Sequence, residues 1–130
     1  MALCTMGKDG YPHVVAMSYM AKDGIIYMSS FKKAQKVLNA KRNPKVAVMV
    51  ESGDAYSELK GVLIRGDCEV IDDPEAVWES MKEVRDFQGN TVSRTEDEAL
   101  KERAKKRAVL KITPVKISSW DHTKLPTGVY

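Results

Sequence analysis

The chain has few of the residues from which metal centres, disulfide frameworks and most catalytic triads are built: two cysteines, two histidines and 7% aromatic residues. Cys4 and Cys68 lie inside apolar segments with no Cys-x-x-Cys spacing, so they read as buried, reduced thiols of a cytoplasmic protein rather than as a disulfide or zinc framework. A metal at His13 or His122 would need carboxylate partners that no spacing supplies. His-Glu-x-x-His, a G-x-S-x-G elbow, a Walker A loop and a G-x-G-x-x-G after a strand are all missing. A Rossmann dinucleotide site is therefore not expected. No apolar run approaches the ~18–20 residues of a membrane span. Met1 to Cys4 leads straight into Gly7-Lys8-Asp9-Gly10, which does not read as a signal peptide. The net charge of +3, from 21 basic and 18 acidic residues, is too small to argue for nucleic acid.

What is present suits one globular domain over residues 1–130, with 43% apolar and 30% charged residues. Met1 to Met6 reads as a strand that starts abruptly. Lys8-Asp9-Gly10 and Lys22-Asp23-Gly24 read as tight turns, where glycine adopts positive φ cheaply. Between and after them, His13 to Tyr19 and Ile25 to Ser29 read as strands, the former apolar enough to be buried on both faces. Lys32 to Arg42 has helical spacing and stops at Asn43-Pro44. Lys45 to Glu51 alternates as a strand, and Leu59 to Ile71 as a long strand bent at Gly66. Asp72-Asp73-Pro74-Glu75 opens a helix with proline and acids in the first turn. A polar loop from Gln88 to Arg94 and a charged, mostly exposed helix from Glu96 to Lys106 follow. Ala108 to Ile112 reads as a strand, Pro114 to Trp120 as an edge strand, and Asp121 to Tyr130 as an irregular tail. Six strands with helices between them point to a mainly β fold, a small antiparallel barrel with peripheral helices.

The segment richest in chemistry is Ser29-Ser30-Phe31-Lys32-Lys33-Ala34-Gln35-Lys36. A strand ends in two hydroxyls and a lysine-bearing helix follows at once. Helix N-termini carry unpaired N–H groups and partial positive charge, and serines can cap them or donate to an anion. Lys33 and Lys36, three apart, would share a helix face. The pattern suits a phosphorylated cofactor, and equally a capped, solvated helix. His13 serves as a structural or edge donor, and Met17 and Tyr19 as core residues first. Trp120, in an exposed-looking segment, would cover a groove or pack on a partner chain.

Taken together, these segments resemble a known family. Leu3 to His13 looks like the opening strand pair of the split β-barrel flavin and deazaflavin oxidoreductases, relatives of pyridoxamine 5′-phosphate oxidase. Ser29-Ser30 with Lys33 to Pro44 looks like that family's phosphate-binding strand and helix. Gly61 to Gly66 with Glu69-Val70 resembles a further strand of the family. Ser119 to Leu125 is similar to the tail of the group that uses the deazaflavin coenzyme F-420.

The resemblance implies a six-stranded antiparallel split β-barrel of the FMN-binding type, forming a homodimer with cofactors at its interface. It implies that Lys36 binds the cofactor phosphate, assisted by Ser29, Ser30 and Lys33. The strand around Val15 and Met17 would back the ring, Lys60 would approach the cofactor, and Trp120 would lie near the ring. The family's N-terminal helix has no counterpart in this numbering. An Arg-x-His segment after Arg107, with which pyridoxamine phosphate oxidases grip substrate phosphate, is also lacking, which argues against that oxidation. The implied activity is hydride transfer from reduced F-420 to an electron-poor small molecule. FMN in the same site, a non-catalytic flavin-, haem- or tetrapyrrole-binding protein, and an interaction module with a vestigial site are the alternatives. No side chain stands out as proton donor; Tyr19, His122 and water are all open.

Overall fold

The computed structural model describes every residue except Thr91, Val92, Thr127, Val129 and Tyr130. Among the described residues, seven strands and three α-helices follow one another as β1 (Ala2–Met6), β2 (Pro12–Ala16), β3 (Met20–Lys22), β4 (Ile25–Phe31), α1 (Gln35–Arg42), β5 (Lys45–Ser52), β6 (Lys60–Ile71), α2 (Pro74–Phe87), α3 (Arg94–Ala104) and β7 (Arg107–Asp121). The strands form one antiparallel sheet in the order β2-β1-β5-β6-β7-β4-β3. Six strands were expected. The extra one is β3, which pairs with β4 across the Lys22–Gly24 turn, where Asp23 and Gly24 both take positive φ (52° and 75°). Two successive positive-φ residues make a turn whose twist matches paired strands, so the hairpin extends back to Met20.

The sheet ends at β2 and β3 and is not closed by the strand pairings. It is nevertheless curled. Leu3 of β1, Val48 of β5, Met28 of β4 and Leu110 of β7 lie far apart in the sheet order yet pack in one buried cluster. Along β4 the inner residues Ile26, Met28 and Ser30 are buried, alternating with Tyr27 and Ser29 on the outer face. On that outer face α2 and α3 supply Val77, Ala104 and Trp78 to a second cluster with Val109, Tyr27 and Ile71. Trp78 Nε1 donates to Asp97 Oδ1 at 2.9 Å and so ties α2 to α3. Asp73 caps α2 by accepting from the Ala76 N–H, with Pro74 at the first helical position, as the acid-and-proline opening predicts. Ser93 and Glu96 form a reciprocal capping box at the start of α3. Helix α1 packs Val37 and Ala40 into the inner core. Its fully buried Asn39 donates to Thr5 Oγ1 (3.1 Å) and accepts from Gln35 (2.8 Å) and Arg42 (3.1 Å).

Three expectations need correction. The second strand is an edge strand, Pro12–Ala16, pairing with β1 alone, and its residues alternate between half-buried and exposed because only the face carrying Val15 packs on the core. Ala108–Ile112 and Pro114–Trp120 are a single strand, β7. The ladder shifts register between Arg65 and Gly66, so Pro114 sits at an irregularity where a missing N–H is tolerated. Beyond Ile112, β7 pairs with β6 alone, so its second half is an edge, as the sequence suggests. Finally, Cys4 is only half-buried, whereas Cys68 is buried; both thiols are free. The polar loop and the tail expected after Gln88 and Asp121 lie in part outside the described residues. Among the described residues no helix is long and apolar enough to cross a membrane, and no group of His, Cys, Asp and Glu could hold a metal ion.

Candidate functional site at the end of β4

Strand alternation decides what the Ser29-Ser30 pair can do. Both residues lie inside β4, which runs on to Phe31, so neither caps the helix. Ala34 occupies the N-cap position of α1 and makes no side-chain cap bond. Successive side chains of a strand point to opposite faces. Ser30 turns into the core, while Ser29 opens outward. The Ser29 hydroxyl accepts from Arg107 Nε at 2.8 Å, and its carbonyl accepts from Arg107 Nη2 at 3.3 Å. The guanidinium also lies 4.9 Å from the Phe31 ring centroid. Burial, and then the charge of Arg103, lower the proton affinity of Arg107 from its ordinary value.

After Phe31 the chain turns through Lys32-Lys33-Ala34 into α1, held by Lys32 N–H to the Lys106 carbonyl at 3.0 Å. Lys33 therefore lies in the turn before the helix and Lys36 in its first turn, not on two successive helical turns. Among the described residues neither forms a salt bridge, unlike Lys41, whose ammonium is engaged by Asp72. That contact, with Lys32 further off, holds the Asp72 carboxyl below its usual range. The corner thus offers two uncompensated ammonium groups, which is the donor set a phosphate requires.

The remaining expected site residues fall elsewhere. Val15 and Met17 are half-buried and pack against the inner core. Lys60 and Trp120 line an open groove where β5, β6 and β7 pair at Ser52, Lys60 and Asp121, with Val50, Ser52 and Lys124. There Lys60 lies 3.7 Å from Asp121, and Trp120 Nε1 donates to Glu51 at 3.2 Å. The indole covers Gly61, where any Cβ would collide with it. The structure thus joins Ser29, Lys33 and Lys36 along one strand-to-helix segment and sets Lys60 and Trp120 on β6 and β7. His122 packs its ring at a tilt against Tyr56, centroids 4.5 Å apart, with its Nδ1 2.7 Å from the Tyr56 carbonyl oxygen, and is not among the residues lining the Trp120 groove.

Sequence reasoning missed a cavity of about 340 Å³ between the outer face of β4 and helices α2 and α3. Ser29 lines it, with Tyr27 and Met81 below and Arg85, Arg103 and Arg107 around it. The available signal was the recurrence of arginine at the helix ends and the start of β7, which reads as ordinary surface charge until the helices are folded onto the sheet.

A curled antiparallel sheet with a basic strand-to-helix corner and helices on its outer face is a split-barrel architecture. The profile of the pyridoxamine 5′-phosphate oxidase family matches residues 1–121, and the chain belongs to that family. The solved structures similar to it include a conserved hypothetical protein, Rv2991, from Mycobacterium tuberculosis. That protein is 34% identical with a TM-score of 0.80, over 96% of this chain and 79% of the other. An F-420 reductase is 26% identical with a TM-score of 0.68, over 90% of this chain and 86% of that one. The haem storage protein HutZ from Vibrio cholerae shares the fold at 14% identity and a TM-score of 0.66, over 92% and 83% of the two chains. No protein of curated function matches the sequence.

Proposed function

We propose that the protein is an oxidoreductase that transfers a hydride from reduced coenzyme F-420 to an electron-poor small molecule. The observation that carries this reading is the pair of uncompensated lysines, Lys33 and Lys36, at the junction of β4 and α1. Lys36 is half-buried in the first turn of the helix and has no acidic partner among the described residues, so its charge is available to a phosphate. Lys33 supplies a second charge from the turn, and the helix start adds the partial charge of its free N–H groups. The likeness to an F-420 reductase supports the choice of cofactor. The bound deazaflavin would supply the hydride chemistry, and the protein the binding, orientation and exclusion of water. FMN in the same corner is the second reading, because the donor set recognises a phosphate and not the ring attached to it.

A second copy of the chain would complete the site. Val14 (61% exposed), Met49 (39%) and Leu63 (37%) share the outer face of β2, β5 and β6, with half-buried Cys4 between Val14 and Ala47. So much uncovered apolar surface on one sheet face fits a homodimer. With two unpaired thiols, the protein suits a reducing, cytoplasmic setting.

Parallel fluorescence titrations with F-420 and with FMN test the reading. The expected result is saturable quenching of F-420, weakened in Lys36→Ala by roughly 1.5–3 kcal/mol, the value of a charge-assisted contact. Quenching of FMN alone would move the protein to the flavin branch. Wild-type affinity in both Lys33→Ala and Lys36→Ala would sink the assignment of the corner.

A further inference from the structure

The cavity behind β4 carries a second conclusion. Its base is apolar, formed by Tyr27, Met81 and Val109 from the sheet and α2. Three arginines line it: Arg85 from the last turn of α2, Arg103 from the last turn of α3, and Arg107 from the first residue of β7. No acidic side chain is among its described lining residues, and none of the three arginines forms a salt bridge among the described residues. Placement at a helix C-terminus accounts for Arg85 and Arg103 singly, because cations there meet the negative end of the dipole. It does not account for Arg107, which stands on a strand and is partly buried next to another cation. Arg85 has the Glu96 carboxylate within electrostatic reach, whereas Arg103 and Arg107 repel each other beside an apolar wall, which is unfavourable unless an anion compensates them. Arg107 is already fixed in place by Ser29, and the unused N–H donors of its fork remain for a ligand.

We propose that this cavity binds a small organic anion, a carboxylate joined to an apolar body, with the carboxylate held by Arg103 and Arg107 and the body lying against Tyr27 and Met81. A volume of about 340 Å³ falls at the small end of ligand pockets, which suits a compact acid and excludes a whole deazaflavin coenzyme. The inference is independent of the cofactor reading, since it uses neither Lys33 nor Lys36.

Isothermal titration of the full chain with octanoate, with octanol and with inorganic phosphate tests it, together with amide chemical shifts to locate binding. Octanoate is expected to bind at least tenfold tighter than octanol or phosphate, to weaken with added salt, and to shift the amides of Tyr27 and Met81. Arg103→Gln changes an exposed residue and is expected to keep the fold, checked by circular dichroism, while losing at least fivefold in octanoate affinity. Arg103→Lys, which keeps the charge, is expected to retain more of the affinity than Arg103→Gln. Equal binding of octanoate and octanol would overturn the proposal, as would equal binding of octanoate and phosphate. Unchanged affinity in Arg103→Gln, or binding that leaves Tyr27 and Met81 unshifted, would overturn it as well.

Discussion

Arg107 and Ser29, on adjacent strands, are joined at both ends of the serine: Nε donates to the hydroxyl oxygen at 2.8 Å and Nη2 to the carbonyl at 3.3 Å. The same guanidinium lies over Phe31, so one arginine fixes the last residues of β4 just before the chain turns into its basic corner. Ser29→Ala removes the hydroxyl acceptor and is expected to cost about 1.5 kcal/mol, the low end for a hydrogen bond to a charged group at a part-buried position. Phe31→Leu gives up the ring contact and is expected to cost less, about 0.5 kcal/mol. Urea unfolding of the two variants measures both, and a larger loss in Phe31→Leu than in Ser29→Ala would contradict the ranking.

Asn39 is the polar pin of α1. Its amide satisfies Thr5, which is almost wholly buried, and receives Gln35 and Arg42 from its own helix. Truncation to alanine leaves the Thr5 hydroxyl without its donor, whereas Gln35 and Arg42 are exposed enough to turn to water. Asn39→Ala is expected to destabilise by about 2–3 kcal/mol, dominated by that one unsatisfied group. A drop in the denaturation midpoint at unchanged slope is the expected readout.

Cys68 provides a pH signature. Burial, and then the neighbouring Glu69 carboxylate, push its thiol up to about 12 from an ordinary 9.0. The folded state therefore keeps the proton that the unfolded chain releases. The contribution is complete below pH 9 and is lost as pH rises from there towards 12, with a slope of at most about 1.4 kcal/mol per pH unit. Wild-type stability is expected to fall more steeply above pH 9 than that of Cys68→Ala, measured by denaturation at several pH values. Parallel curves would show that the thiol is not held neutral.

The proposed dimer predicts a simple change of mass. Leu63 pairs with Met49 across β5 and β6 on the exposed apolar face, and Leu63→Glu places a charge there without entering the core. Sedimentation is expected to show dimeric wild type and monomeric Leu63→Glu, both with native circular dichroism. A monomeric wild type would refute the second-copy reading.

Much of the fold is legible in the residues. The turns at Gly10 and Gly24, the opening of α2 at Asp73-Pro74 and the bend at Gly66 are local chemistry, and local chemistry is written in neighbouring residues. The family, too, was legible in the order of its segments, and the match over residues 1–121 confirms it. Misreadings occurred where pairing decides the outcome. The apolar content of His13 to Tyr19 suggested burial on both faces, but Val15 packs on the inner core while Val14 on the opposite face stays exposed, since α2 and α3 pack over β4 and β7 instead. Ser29 and Ser30 read as a cap because a serine pair before a helix is a cap signal. Their ladder with Val109 and Ala108 keeps them in the strand instead. The arginine-lined cavity was invisible for a related reason: Arg85, Arg103 and Arg107 meet only once α2 and α3 have folded back over β4.

That fold-back has a consequence for how the chain assembles. β6 and β7 form one long hairpin whose closing segment, residues 72–106, is the α2–α3 pair. The ladder begins at Ile71 opposite Val109, right beside those helices, and ends at Lys60 opposite Asp121. Closing so long a loop by chance is entropically slow, and a helix pair clasped by Trp78 and Asp97 that formed first would bring its ends together. On that order of events the helix pair would act as the slider of a zip fastener, and weakening its clasp with Trp78→Phe is expected to lengthen the refolding time more than it shortens the lifetime of the folded state, as stopped-flow refolding and unfolding would measure.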